Sequence, residues 1–187
     1  MRKIHGADAG ETEESLRTWL SGAKKVVIAG VGSSLRRDDF VGVQIVKNLR
    51  NKVSGNVSLL ECETVPESFL EPISDFKPTH VLIIDAAILN LRPGASRLVK
   101  PEEIAGVPVS THILPLSLFS EYLTEMTGAK VALLAIQPKE TAFGEGLTEE
   151  LEKTARNLTD LLIKILPKPY SSREPDSRKD DNNPDNI

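Results

Sequence analysis

Two aspartates and one histidine have the types and positions needed for chemistry in this sequence. Asp39 follows a glycine-containing loop, Asp85 closes the apolar run that is the clearest central strand, and His112 lies in a polar break between two prolines. Together they offer two hard oxygen ligands and one imidazole, a set that suits a divalent metal such as nickel, zinc or manganese. Three ligands leave coordination positions open, which is typical of an exchangeable or substrate-sharing site.

Each of these residues, taken alone, also has a purely structural explanation. The pair Asp38-Asp39 stands where a helix is expected to begin, and helix capping by aspartate is common there. Asp85 alone is equally compatible with capping a loop. A single loop histidine such as His112 is more often a surface or hydrogen-bonding residue. The functional interpretation therefore depends on the fold bringing the three together.

The elements that must position these residues are strands alternating with helices, which predicts a three-layer α/β/α sandwich with a five-stranded, mostly parallel sheet. The last helix opens with a capping pattern at Thr148. The fourth strand follows the third too closely for a parallel crossover, so we predict that it is antiparallel and near an edge. Strands are predicted at 25–29, 57–62, 79–86, 96–100 and 131–136, and helices at 11–25, 39–49, 66–74, 114–127 and 148–165.

In open α/β sheets, ligands bind beyond the carboxyl ends of the strands, near the point where the strand order reverses. If the first and third strands are neighbours, Asp39 and Asp85 flank that point. The loop 106–114, which contains His112, could fold over the same edge. The loop 137–148 also leaves a carboxyl end and could line a pocket, although it is also a simple strand-to-helix connection.

A dinucleotide-binding enzyme is an alternative, because loop 30–39 follows a strand and precedes a helix, with Glu61 or Glu63 as a candidate ribose ligand. Two details disfavour it. Leu35 replaces the third glycine of the fingerprint, and a phosphate at the helix start would meet the acidic pair 38–39 in place of N–H donors. A nucleophilic pair of Cys62 and His112 is also conceivable, but a cysteine that ends an apolar strand is expected to be buried and inert.

Composition excludes several classes of protein. The net charge is -4 with a pI near 5.5 and there is no basic stripe, so nucleic acid is not expected as a partner. Apolar runs fall well short of the roughly 20 residues that span a bilayer, so membrane insertion is not expected. The single cysteine leaves no internal disulfide, which fits a cytoplasmic location. We predict one domain at 1–166 and a disordered tail at 167–187, which is rich in Pro, Ser, Asp, Asn and Lys.

A set of short motifs is distributed along residues 25–166. The motifs are, in order, Gly30-Val31-Gly32, Leu35, Asp38-Asp39, Gly42-Val43, Ile83-Ile84-Asp85-Ala86, Pro93-Gly94, Ser110-Thr111-His112 and the loop from Pro138 to Thr148. In these motifs the sequence resembles the hydrogenase maturation endopeptidases. The opening glycine and aspartate signature is moderately specific, and the ordered set of motifs is highly specific.

The resemblance implies an endopeptidase that cuts a C-terminal extension from the precursor of a nickel–iron hydrogenase large subunit after nickel insertion. It also implies that Asp39, Asp85 and His112 are the catalytic and metal-contacting residues. The nickel would be carried by the substrate, so no permanent cofactor is expected, although a divalent metal could occupy the site. The family's sheet is mixed, in the order 2-1-3-5-4 with strand 4 antiparallel.

The resemblance further implies a substrate-binding role for the residues around the acidic pair. Ser33 stands where the family usually has asparagine, and Phe40 where it usually has glycine, so we expect altered specificity more than altered activity. A non-catalytic chaperone or sensor that binds the precursor or nickel remains an alternative, since the same motifs would serve recognition. The predicted substrate-binding residues are Gly30, Gly32, Ser33, Asp38 and Phe40.

Overall fold

Five apolar segments pair into one sheet in the computed structural model, which describes residues 9–104, 107 and 115–168. The strands are β1 (Val26–Val31), β2 (Val57–Glu63), β3 (His80–Ala86), β4 (Ser96–Val99) and β5 (Lys130–Ile136). Their order is β2-β1-β3-β5-β4. All neighbouring pairs are parallel except β4 with β5. The mixed sheet, its order and the antiparallel edge strand are therefore confirmed.

The helices are α1 (Ala9–Trp19), α2 (Val41–Leu49), α3 (Leu70–Phe76), α4 (Pro101–Ile104), α5 (Leu116–Thr127) and α6 (Glu149–Ile165). Short 3-10 turns at Arg37–Phe40 and Pro66–Phe69 lead into α2 and α3. The sequence did not predict α4. The first helix ends six residues earlier than predicted, because the chain turns through Gly22 at φ +77° and the Lys25 carbonyl accepts a hydrogen bond from the Thr79 N–H.

Helices cover both faces of the sheet, which confirms the three-layer architecture. The strands β1, β3 and β5 are almost entirely buried, and such strands read as continuous apolar runs. Alternate residues of each strand point to opposite faces. Ile28 and Leu82 pack in the layer of α1, α2 and α6, whereas Val27 and Val81 pack in the layer of α3 and α5.

Two glycines let α2 lie directly on the sheet. A Cβ atom at Gly42 would lie 2.6 Å from the Val31 carbonyl oxygen and would overlap the Ile84 carbonyl oxygen. A Cβ atom at Gly30 would lie 2.7 Å from the Val46 side chain and would overlap the Gly42 carbonyl. The first turn of α2 is thereby held against the carboxyl ends of β1 and β3, where the candidate residues lie.

Within the described part of the chain, no helix has the length and apolar composition needed to cross a membrane. The predicted tail, 167–187, falls outside the described residues except for its first two positions. The division of the chain into a domain and a tail therefore stays a prediction.

Candidate functional site

The strand order reverses between β1 and β3, and both candidate aspartates lie at that point. Gly30 pairs with Ile84 in the last rung of the β1–β3 ladder, so Asp85 is the next residue along β3. Asp39 lies in the 3-10 turn that leads into α2, and Gly42 of α2 packs onto the Ile84 carbonyl. The predicted neighbouring of the first and third strands is confirmed, and it places both carboxylates at the carboxyl edge of the sheet.

Asp39 is buried and only half satisfied. Its Oδ2 accepts a hydrogen bond from the Ser33 N–H at 2.8 Å. Its Oδ1 is also buried and has no hydrogen-bond partner within residues 9–104, 107 and 115–168. Native proteins rarely leave a buried carboxylate oxygen unpartnered, because the desolvation cost is not recovered. An oxygen held in this way is available to an incoming ligand, which makes Asp39 the best candidate for chemistry among the described residues.

Asp38 is fully buried and, unlike Asp39, fully engaged. Its Oδ2 accepts hydrogen bonds from the N–H groups of Lys139 and Glu140, both at 2.9 Å. The N–H and the hydroxyl of Thr148 donate to Oδ1 and Oδ2 at 2.7 and 2.9 Å. These four contacts join the loop after β1 to the loop before α6. They give Asp38 an internal role, so any effect on substrate is expected to be indirect.

Helix capping explains neither aspartate. The N-cap of α2 is Phe40, and no side chain caps it. Thr148 does occupy the N-cap position of α6, as predicted, but its side chain makes no cap hydrogen bond. The predicted capping by the Thr148 hydroxyl is therefore wrong. The hydroxyl donates to the Asp38 carboxylate, and a charge-assisted hydrogen bond of this kind is stronger than a neutral one.

Asp85 is fully buried and, by strand alternation, faces the same layer as Val81 and Ile83, toward α3 and α5. His112 lies outside the described residues. Among the residues that are described, no three His, Cys, Asp or Glu side chains are grouped to hold a metal ion. The predicted trio with His112 therefore stays a prediction, with its two aspartates located and its histidine not.

The predicted substrate-binding residues make contacts within the chain that shape the loop after β1, and their role toward a substrate stays a prediction. Gly32 adopts φ +130°, and a Cβ atom there would overlap the Asp39 carbonyl. Ser33 is half-buried and uses its N–H to orient Asp39. Phe40 is half-buried, with the Lys47 Nζ 4.7 Å from its ring centre. The space beside Gly30 is likewise occupied by atoms of α2. The glycines of this loop therefore allow close packing within the chain, which further disfavours the dinucleotide alternative.

The loop 137–148 is more than a connection, because it pairs with the loop after β1. The N–H of Gly144 donates to the Leu35 carbonyl at 2.9 Å, and the N–H of Arg37 donates to the Gly144 carbonyl at 3.0 Å. The Arg36 Nε donates to the Thr141 carbonyl at 3.2 Å. We call the segments 33–38 and 139–145 the paired loops. Sequence reasoning missed this pairing, since nothing in either loop alone indicates its partner.

Gln137 is a second positioning residue that the sequence reasoning did not single out. Its Oε1 accepts hydrogen bonds from the N–H groups of Leu89 at 2.8 Å and Leu91 at 3.4 Å. These bonds fix the segment that follows Asp85. A glutamine directly after an apolar strand is the signal that could have revealed it, because a buried amide needs several partners.

Cys62 is the only cysteine, and it is buried at the end of β2. Burial raises the pKa of its thiol to about 12, so almost no thiolate exists at neutral pH. The thiolate is the nucleophilic form of cysteine. Inert burial is thus the correct interpretation, and a cysteine nucleophile is not supported.

Known proteins resemble this chain in sequence and in structure. Residues 43–165 match the family model HycI, described as hydrogenase maturation protease. A curated protein of Methanocaldococcus jannaschii, to which a hydrogenase maturation protease function is ascribed, is 36% identical over 162 residues, covering 82% of this chain and 95% of that protein. The hydrogenase 3 maturation protease of Escherichia coli K12 is 31% identical over 127 residues, covering 67% and 81%.

Comparison of the fold with solved structures identifies the same family of proteins. The crystal structure of the NiFe hydrogenase maturation protease HycI from Thermococcus kodakarensis KOD1 superposes with a TM-score of 0.76 at 34% sequence identity. The match covers 81% of this chain and 98% of that one. The chain belongs to the hydrogenase maturation protease family, whose members are hydrolases that act on peptide bonds.

Proposed function

We propose that this chain is the endopeptidase that removes a C-terminal extension from the precursor of a nickel–iron hydrogenase large subunit after nickel has been inserted. Family membership supports the protease activity, and the relative from Thermococcus kodakarensis is named as acting on a NiFe hydrogenase. The observation that carries the proposal is the buried Oδ1 of Asp39 near the end of β3, which has no hydrogen-bond partner in the part of the chain that the structure describes.

In this proposal, nickel arrives as part of the substrate, and the enzyme needs no permanent cofactor. The donors would be the carboxylates of Asp39 and Asp85 with the imidazole of His112. Carboxylate oxygen and imidazole nitrogen both suit first-row divalent metals. The Ser33 N–H holds Oδ2 of Asp39, so Oδ1 is the oxygen best placed to contact the nickel.

Contact with the nickel would tell the protease that the precursor is loaded, and it would fix the precursor relative to the enzyme. The scissile peptide bond is then held near the buried carboxylates, and water adds across it to give a new carboxyl terminus and a free amine. Holding reactants in the right geometry can supply roughly 7–11 kcal/mol of a reaction barrier. We expect this to take place in the cytoplasm, with neither nucleic acid nor membrane as a partner.

The test is a mass spectrum of the precursor after incubation with the protein, with and without nickel loading. We expect loss of a C-terminal peptide only from the nickel-loaded form. Asp39→Asn is expected to slow this cleavage at least about 100-fold, the lower range for a lost catalytic group. Its melting temperature is expected to stay unchanged, because the asparagine oxygen still accepts the Ser33 N–H.

Asp75→Asn is the matched control, since it makes the same chemical change on the exposed surface of α3. Normal cleavage by Asp39→Asn would reject the role given to Asp39. Equal cleavage of nickel-free and nickel-loaded precursor would reject the proposal that the protease recognises the nickel in its substrate. A stable complex with no fragment released from a correctly loaded precursor would reject the protease proposal in favour of a binding role.

A further inference from the structure

The paired loops expose two large apolar side chains. Phe143 is 82% exposed and Leu35 is 51% exposed. Single exposed apolar residues are common on protein surfaces, but an almost fully exposed phenylalanine gains nothing from the fold. Because aromatic anchors are enriched at the centres of protein interfaces, its exposure points to a contact outside this chain.

These side chains project from a rigid support. The Gly144 N–H donates to the carbonyl of Leu35 itself, at 2.9 Å, directly beside Phe143 in the chain. Arg36 and Arg37 add hydrogen bonds to Thr141 and Gly144. The four bonds to Asp38 fix the base of the same loops. A partner that binds here therefore orders little backbone, and preorganisation of this kind increases affinity.

The paired loops also continue directly into the candidate site. Leu35 precedes the turn Arg37–Phe40, in which the Asp39 N–H bonds the Arg36 carbonyl. The exposed side chains therefore stand on the loops that border the candidate site, and these loops form its rim. The rim carries both signs of charge, because the half-exposed Arg37 and Glu140 form an ion pair at 3.5 Å. An apolar centre with a charged rim is the usual anatomy of a protein–protein interface.

We propose that Leu35 and Phe143 are the apolar anchors with which this chain docks onto the folded body of its precursor substrate, next to the bond that is cut. The inference rests on the proposed function and adds the surface that holds the substrate. Two side chains cover much less area than the roughly 800 Å² per partner of a stable interface. A second copy of this chain is therefore a less suitable partner for this surface than the substrate, because the substrate also makes contacts in the candidate site.

The experiment compares Leu35→Ser and Phe143→Ser with wild type in steady-state cleavage of nickel-loaded precursor. We expect KM to rise about tenfold or more in each variant, as for an interface hot spot, with kcat within about twofold. Met126→Ser is the matched control. Met126 is 49% exposed in the last turn of α5, which leads to the opposite edge of the sheet, so KM is expected to stay unchanged.

Unchanged KM in both loop variants, with wild type active, would overturn the docking surface and leave the proposed function standing. If wild type binds the precursor without cutting it, the same variants are compared by equilibrium binding. Binding weakened about tenfold would then support the surface while rejecting the protease proposal. Failure of wild type to bind any precursor would overturn both, as would a wild-type dimer that Phe143→Ser dissociates.

Discussion

Thr148 donates two hydrogen bonds to the carboxylate of Asp38, from its N–H to Oδ1 at 2.7 Å and from its hydroxyl to Oδ2 at 2.9 Å. The two residues join the start of α2 to the start of α6, on the same face of the sheet. Of two adjacent aspartates, Asp38 therefore organises the loops, while the buried Oδ1 of Asp39 has no hydrogen-bond partner among the described residues.

Asp38→Asn is expected to lower the free energy of unfolding by roughly 3 kcal/mol. An asparagine amide cannot accept from all four donors, and buried N–H groups left without an acceptor are costly. Thr148→Val removes only the hydroxyl bond and is expected to cost about 1 kcal/mol. Urea unfolding measures both. Equal losses from the two substitutions would contradict the central role of Asp38.

Gly42→Ala is expected to destabilise the protein by about 2–3 kcal/mol, because the added methyl overlaps the Ile84 carbonyl and overpacking is costly. It is also expected to reduce cleavage, since the first turn of α2 must shift away from the end of β3. Gly55→Ala is the control, because a Cβ atom there meets nothing within 4 Å. Thermal melting and cleavage rates check both variants, and a fully active Gly42→Ala would contradict the close packing.

His80 is expected to make the free energy of unfolding decrease at acidic pH. Burial, assisted by the positive charge of Lys130, lowers the pKa of its imidazole below the ordinary value of 6.5. Below about pH 6.5 the unfolded chain then binds the proton more readily than the folded protein does. The free energy of unfolding therefore decreases as the pH falls from about 6.5 toward the lower pKa of the folded state. One proton gives at most about 1.4 kcal/mol per pH unit. His80→Gln should flatten this slope in urea titrations, and an unchanged slope would assign it elsewhere.

Cys62 is expected to resist iodoacetamide in the native protein at neutral pH and to react at once in urea. Its burial and its raised pKa both suppress the thiolate. Alkylating agents are therefore expected to leave cleavage intact, and Cys62→Ala to remain active. Loss of cleavage that parallels alkylation would instead revive a cysteine nucleophile.

The strands were predictable because burial imposes a pattern on sequence. β3 and β5 are apolar runs flanked by turn residues, and the sheet order followed from the family resemblance. The end of α1 was not predictable by periodicity, because two lysines such as Lys24 and Lys25 are as common in the last turn of a helix as in the loop before a strand. Its position depends on Gly22 and on the backbone pairing of Lys25 with Thr79.

The position of Asp39 and Asp85 at one edge of the sheet was predictable, but the different contacts of Asp38 and Asp39 were not. Sequence alone does not distinguish adjacent aspartates. What distinguishes Asp38 from Asp39 is that Lys139 and Thr148, from a distant loop, donate hydrogen bonds to the Asp38 carboxylate. Such contacts between distant loops leave no local signal. His112 stays a prediction, because it lies outside the described residues.

The contact between Asp38 and Thr148 also has a consequence for biosynthesis. All five strands lie before residue 137, so a chain that emerges from a ribosome exposes its last strand before the partners of Asp38 emerge. Those partners belong to the segment 139–148. Because α6 follows this segment and supplies Leu151, Leu158 and Leu162 to one face of the core, the contacts of Asp38 and the last part of that core are completed by the same final stretch of chain.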